Sequence, residues 1–195
     1  MEQPFEEIRQ EIANHPSNRL YLAEGYWPLF LASQKSKIVI VGQAPGVRAQ
    51  LSGMVWNDAS GQRLIRWLGV DEEQFRDLSL FAHLPMGFYY PGKGKTGDLP
   101  PRKDFAQMWH EPIMKLMPEV QLFILIGKYA QQYYLQSHHY PRLTDTVRSY
   151  QQYLPRYFPL VHPSPLNFRW FMKNEWFEAE LVPELQKQVA RIISS

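Results

Sequence analysis

Lys37-Ile38-Val39-Ile40-Val41-Gly42-Gln43-Ala44-Pro45-Gly46 decides the fold. Four β-branched residues in a row leave no polar position to face water. A strand wetted on one side alternates; this one needs cover on both faces, the condition of a parallel strand inside an α/β domain. Gly42 ends the run, and Pro45-Gly46 turns the chain. Three more runs of this kind follow: Leu78-Ser79-Leu80-Phe81-Ala82-His83, Gln121-Leu122-Phe123-Ile124-Leu125-Ile126-Gly127 and Tyr157-Phe158-Pro159-Leu160-Val161-His162. Helical patterns lie between them, at 62–68, 104–117 and 128–136. The chain closes on an amphipathic stretch, 174–193, that Pro183 kinks or splits.

Strands alternating with helices imply βαβ units with right-handed crossovers. The expected fold is a three-layer α/β/α domain around a central, mainly parallel, four-stranded sheet. With 195 residues the chain fits one domain, 1–195, with its own core. Two mixed polar and apolar stretches, 5–13 and 19–32, separated by Pro16, read as a helical N-terminal extension over residues 1–35. In open sheets of this class the ligand crevice lies beyond the carboxyl ends of the strands. That rule directs attention to the segments after Val41, His83, Ile126 and Val161.

Composition narrows the chemistry. Twenty-one Lys and Arg against 19 Asp and Glu leave a net charge of only +2, which excludes a uniformly basic nucleic-acid coat but not a local basic patch. There is no cysteine, so disulfides, thiolate zinc sites, cysteine-ligated iron–sulfur clusters and cysteine nucleophiles are excluded together. The longest apolar runs fall far short of the roughly 20 residues a membrane crossing needs. The acidic start, Glu2-Gln3-Pro4-Phe5-Glu6-Glu7, lacks the order of a signal peptide. A cytoplasmic monomer with no membrane partner, no metal and no cofactor is expected.

Two strand-end segments carry chemistry. Gly42-Gln43-Ala44-Pro45-Gly46 permits a tight turn and close backbone approach to a ligand, although an ordinary turn reads the same way. His162-Pro163-Ser164-Pro165-Leu166-Asn167 places a histidine at the root of a loop stiffened by two prolines, suited to entering a groove. A structural turn capped by Ser164 is the alternative.

These two motifs, in this order on an α/β domain, resemble those of the uracil-DNA glycosylase superfamily. The segment Gly53-Met54-Val55-Trp56-Asn57-Asp58-Ala59-Ser60-Gly61 is similar to the stretch of the bacterial and archaeal Fe–S branch that supplies an aromatic beneath the flipped base, and Trp56 holds that position. Ala82-His83 falls where the family has an asparagine that reads the base edge, and Leu125–Ala130 resembles the next strand–helix junction. The likeness runs from about Lys37 to the end. It implies a DNA N-glycosylase, a hydrolase of base-excision repair that flips a damaged or deaminated base and cleaves its glycosidic bond. DNA is the implied partner.

The resemblance also implies roles. His162, Gln43 and Asp58 would serve catalysis: His162 by donating to the leaving base, Gln43 by holding water, and Asp58 by supplying a carboxylate. Trp56, His83 and Ala44 would border the base. Gly46, Lys128, Pro163, Ser164, Leu166, Asn167 and Arg169 would meet DNA, with Leu166 as the wedge that fills the vacated stack. His83 can donate one hydrogen bond but cannot supply an amide's donor and acceptor together. The family's first motif carries a carboxylate that handles the water, an aspartate where this chain has Ala44 or a glutamate where it has Gln43. The absent cysteines also separate this chain from the cluster-bearing branch. Two other readings therefore stay open: a binding module that has lost turnover, and a small-molecule nucleoside hydrolase using the same crevice. Each residue has a plainer alternative too: Trp56 and Leu166 as packing residues, Lys128 and Arg169 as solvated charges, Asp58 as a loop residue.

Two stretches mislead. Gly92-Lys93-Gly94-Lys95-Thr96-Gly97 suggests a phosphate-binding loop, but the earlier glycine is missing and Asp98-Leu99-Pro100-Pro101 cannot open the required helix. It is expected to be a mobile surface loop. His138 and His139 are adjacent, so they cannot share a helix face, and no metal site is expected there.

Overall fold

The computed structural model describes residues 2–95 and 97–195; Thr96 of the misleading glycine–lysine stretch lies outside them. Among the described residues, six strands follow in chain order: β1 (Ile38–Val41), β2 (Phe81–His83), β3 (Lys93–Gly94), β4 (Gly97–Asp98), β5 (Leu122–Ile126) and β6 (Tyr157–Leu160). Four of them form the expected sheet, in the order β2-β1-β5-β6 and parallel throughout. The other two make a short antiparallel hairpin.

The helices are α1 (Gln3–Asn14), α2 (Arg19–Ala23), α3 (Val47–Ser52), α4 (Ala59–Leu68), α5 (Glu72–Arg76), α6 (Lys103–Lys115), α7 (Lys128–Leu135), α8 (Leu143–Arg148), α9 (Phe168–Lys173) and α10 (Val182–Ile193). Strand alternation divides the core in two. Val39, Val41, Ala82, Phe123 and Leu125 face α1, α6 and α7, whereas Ile38, Ile40, Phe81, Leu122, Ile124 and Phe158 face α4, α5, α8 and α10. Every residue of β1 and β5 is buried, as the unbroken apolar runs require. No helix among the described residues is long and apolar enough to cross a membrane.

Three expectations change. The strand expected from Leu78 begins only at Phe81, because Asp77 closes a turn first: its carboxylate accepts from Ser79 N at 2.8 Å and its carbonyl from Leu80 N at 3.0 Å. The helix expected over 19–32 stops at Ala23, two residues before Gly25 at φ 77°; beyond it Leu31 forms an antiparallel bridge with His83. The N-terminal segment also contributes to the core, since Phe5 and Ile12 are buried in its α1/α6/α7 half. At the other end, Pro183 stands in the first turn of α10, where its missing N–H costs nothing, and a π-helical turn over Phe177–Leu181 precedes it.

Two internal devices fix the carboxyl edge of the sheet. The buried Gln131 amide donates to Leu125 O at 3.1 Å and Leu160 O at 2.8 Å, tying β5 to β6. Gly127, at φ 82°, lets the chain turn sharply out of β5 into α7 while its N–H donates to Leu160 O. The segment leaving β6 therefore starts from a fixed point.

Candidate active site

A cavity of about 410 Å³ opens at the carboxyl ends of the strands. Gly42, Gln43, Ala44 and Pro45 form one side, with Trp56, Asp58, His83 and His162 around it.

Trp56 is held there at some cost. It sits at φ 55°, a left-handed conformation that strains a bulky residue by about 1–3 kcal/mol. Two glycines make room for it. A Cβ on Gly42 would come within 3.2 Å of the Trp56 ring, and one on Gly61 would lie 1.8 Å from the Trp56 carbonyl oxygen. The preceding carbonyl, Val55 O, accepts from Arg76, which is anchored by Glu72 at 2.8 Å. The ring packs against the α4/α10 half of the core and stands 5.9 Å, centre to centre, from His162. Trp56 is thus only partly a core tryptophan: one side packs and the other borders the cavity.

Asp58 caps α4, its Oδ1 accepting from Gly61 N at 2.9 Å, which fixes the carboxylate at the cavity rim. Gln43 has a different engagement from the one expected. Its Nε2 donates to Leu99 O at 2.9 Å, so the amide fastens the segment after the β3–β4 hairpin beside the cavity, with Oε1 and the second Nε2–H left for a ligand. Ala44 lines the wall, and Gly46 is the exposed cap residue of α3.

The His162 loop is braced on three sides. Asn167 Nδ2 donates to His162 O at 2.8 Å, Ser164 Oγ accepts from Leu166 N at 3.2 Å, and Arg63 reaches Ser164 O at 3.3 Å while lying over Phe171. Pro163 is buried beneath the loop rather than offered at its surface. Leu166 is 88% exposed at the tip. Ser164 N donates to His162 Nδ1 at 3.2 Å, so Nδ1 is an acceptor and the ring proton resides on Nε2. Although His162 is exposed on the loop, the protein atoms crowded around its ring desolvate it and lower its pKa from the usual value, against the pull of Asp58 and Asp98, so the ring is neutral at pH 7. Arg169 is exposed on α9 just past the loop. Lys128 is exposed at the start of α7, over the Tyr129 ring and outside the cavity wall.

His83 is the opposite kind of histidine. It is 1% exposed, its ring packs edge-on to Phe75, and Nε2 lies 3.4 Å from Phe75 O. Burial drives its pKa down to about 3. Nδ1 has no hydrogen-bond partner among the described residues.

The glycine–lysine stretch is no free surface loop. Lys93 and Asp98 pair across the β3–β4 hairpin at 3.6 Å, Tyr90 Oη donates to Asp98 at 3.5 Å, and all three line the cavity. Buried Gln50 holds Tyr90 in place, accepting from its N–H at 2.8 Å while donating to Trp27 O at 2.9 Å. Sequence reading missed Tyr90, Lys93 and Asp98 as wall residues. Only the run of glycines hinted that the backbone there packs closely.

The parallel α/β sheet thus carries an aromatic-walled cavity at its carboxyl edge, flanked by a stiff histidine loop. Residues 30–186 match the family model described as the uracil DNA glycosylase superfamily. The chain belongs to that family.

Proposed function

We propose that the protein excises a damaged or deaminated base from DNA by hydrolysing its N-glycosidic bond. The observation that carries this reading is the convergence of Trp56, His162 and Asp58 on one cavity large enough for a single base. The base leaves the duplex and stacks on Trp56, a contact worth about 1–3 kcal/mol. Leu166, on its braced loop, fills the vacated stack. Ser164, Asn167, Gly46, Arg169 and Lys128 meet the flanking backbone, consistent with their exposure or their place on the loop.

As the C1′–N bond breaks, its electron pair goes to the base. His162 Nε2–H donates to the base carbonyl and stabilises that charge, as a neutral donor whose proton position is fixed by Ser164. Water then adds its oxygen to C1′, giving up a proton to Asp58 Oδ2 that passes on to the departed base anion. Asp58 supplies the carboxylate that the first motif lacks: Oδ1 is used in capping α4, and Oδ2 polarises the water and faces the developing positive charge on the sugar. Gln43 orients the water through Oε1 or its second Nε2–H.

The direct test uses single- and double-stranded oligonucleotides bearing uracil, hypoxanthine or xanthine, treated with alkali after incubation. Strand breaks at the modified position are expected; their absence while a uracil-excising control cuts the same strands defeats the proposal. Asp58→Asn is the informative variant, because asparagine caps a helix as well as aspartate does. Its folding stability should stay within about 0.5 kcal/mol of wild type, while excision falls about 10²–10⁴-fold. An undiminished rate removes Asp58 from the chemistry.

A further inference from the structure

Among the described residues that line the cavity, Lys93 carries the one primary amine. Arg48 is the other cation of that wall, and a guanidinium stays protonated and does not attack carbon. Lys93 also stands where a base does not reach. Its side chain lines the cavity and is nevertheless 75% exposed, which puts it at the mouth. A base drawn out of a duplex enters first and deepest, so its sugar is left at the mouth. The amine is held there by the hairpin. Asp98 lies 3.6 Å away on the opposite strand and accepts from Tyr90 Oη at 3.5 Å. Leu99 N donates to Gly92 O at 2.9 Å, and Leu99 O receives the Gln43 amide. The charge of Asp98 is felt at His162, so the Lys93–Asp98 pair belongs to the side of the cavity on which His162 stands. An exposed ion pair contributes about 0–1 kcal/mol to stability, too little to account for a braced lysine at this point.

We infer that Lys93 is an amine nucleophile toward the abasic sugar that excision leaves behind, which gives the protein a second, strand-cutting activity. The inference rests on the excision reading for the source of that sugar, and its test does not. An abasic deoxyribose opens to an aldehyde at C1′. Lys93, as the free amine, adds to C1′; the carbonyl oxygen takes up protons and leaves as water, and a protonated Schiff base remains. That cation acidifies C2′. Asp98 removes a C2′ proton, the electron pair of the broken C–H bond forms a C2′–C3′ double bond, and the 3′ phosphate departs with the C3′–O pair. Water then hydrolyses the Schiff base, returning the amine and leaving an unsaturated aldehyde on the upstream strand. Nothing is oxidised or reduced overall. Holding amine and sugar in one cavity supplies the advantage that a lysine free in solution lacks, since oriented partners reach effective molarities of about 10⁵–10⁸ M.

Duplexes carrying a preformed abasic site, made with a separate uracil-excising enzyme, require no excision by this protein. With sodium borohydride present, wild type should become covalently joined to the strand, and peptide mapping should place the bond on Lys93. Without borohydride or alkali, the strand should be cut and carry the unsaturated aldehyde at its new 3′ end. Lys93→Arg keeps the positive charge beside Asp98 and removes the attacking amine. Both signals should fall at least about tenfold in it, while the thermal midpoint holds and binding to the abasic duplex stays within about threefold of wild type. Lys95→Arg, exposed at the hairpin turn and outside the cavity wall, should be trapped as wild type is. Asp98→Asn should still be trapped but should cut more slowly, because the Schiff base forms before the carboxylate acts; cutting at the wild-type rate removes Asp98 from the elimination. No adduct with wild type, an adduct mapped to another amine such as Lys128, or undiminished trapping of Lys93→Arg overturns the inference. Abasic strands trapped while uracil strands stay intact after alkali defeat the excision reading alone. Uracil excised without any trapping of abasic strands defeats this inference alone.

Discussion

His83 and His162 stand at the ends of the two outermost strands of one sheet, and almost everything about them is reversed. His162 is exposed at the root of a loop, with Asp58 and Asp98 near enough to act on its charge. His83 is sealed behind Phe75. Ser164 N–H occupies Nδ1 of the first, leaving Nε2–H as a donor; Phe75 O occupies Nε2 of the second, leaving Nδ1 as an acceptor. Backbone groups, not titration, set both tautomers. One residue type thus presents opposite hydrogen-bonding polarity at the two outer strands of one sheet.

The comparison breaks most visibly at the open side. If His162 donates to the leaving base as proposed, His162→Ala should lower excision of the preferred base about 10²–10³-fold. Because the side chain is exposed, the urea midpoint should barely move. A large stability loss with normal excision would mean that His162 serves the loop rather than the base.

The sealed side should show itself in acid. His83, at about 3, and His110, at about 4, are both buried and neutral in the folded protein, whereas in the unfolded chain they titrate near 6.5. Below pH 6.5 the unfolded state binds protons that the folded state refuses, so stability falls as pH falls, until the folded pKa values are reached. Each histidine costs about 1.4 kcal/mol per pH unit in that window. The midpoint in urea should therefore drop between pH 7 and 5, and His83→Asn should lose about half as much as wild type. An identical drop in the variant would show that His83 is already hydrated. His110 has both nitrogens engaged, with Pro85 O at 2.9 Å and Tyr134 Oη at 2.7 Å, so it is a structural histidine and the natural reference for His83.

The same contrast explains what could be read in the sequence. β1, β5 and β6 were legible because a buried parallel strand has to be apolar throughout, and the His162 loop because two prolines announce stiffness. Position 83 was legible as a strand end, not as a polarity: the tautomer of its ring is set by Phe75 O, eight residues away but placed by α5. The hairpin was read as a mobile loop because Lys93-Gly94 and Gly97-Asp98 carry no apolar alternation. What holds it is the Gln43–Leu99 bond across 56 residues, a tertiary fact. The expectation that Gln43 holds water did not include this bond for the same reason, since Leu99 lies outside any local pattern. The N-terminal segment was underestimated because Phe5 and Ile12 each look unremarkable until α6 supplies the surface they cover.

The smallest expected effect concerns the loop that His162 opens. Leu166 is 88% exposed, and an exposed leucine contributes almost nothing to folding. If it fills the space that a flipped base vacates, its value appears only in the complex, where burying most of a leucine side chain is worth about 1.5–3 kcal/mol. Part of that is returned in ordering the loop, although Pro163, Pro165 and the Arg63 contact to Ser164 O have already reduced the freedom to be lost. Leu166→Ala should therefore weaken binding to an uncleavable uracil duplex about tenfold. Single-stranded binding should be unaffected, because there is no stack to fill, and the thermal midpoint should remain that of wild type. Equal weakening on both substrates would make Leu166 an ordinary apolar contact, and the stiff loop would then serve only to aim His162.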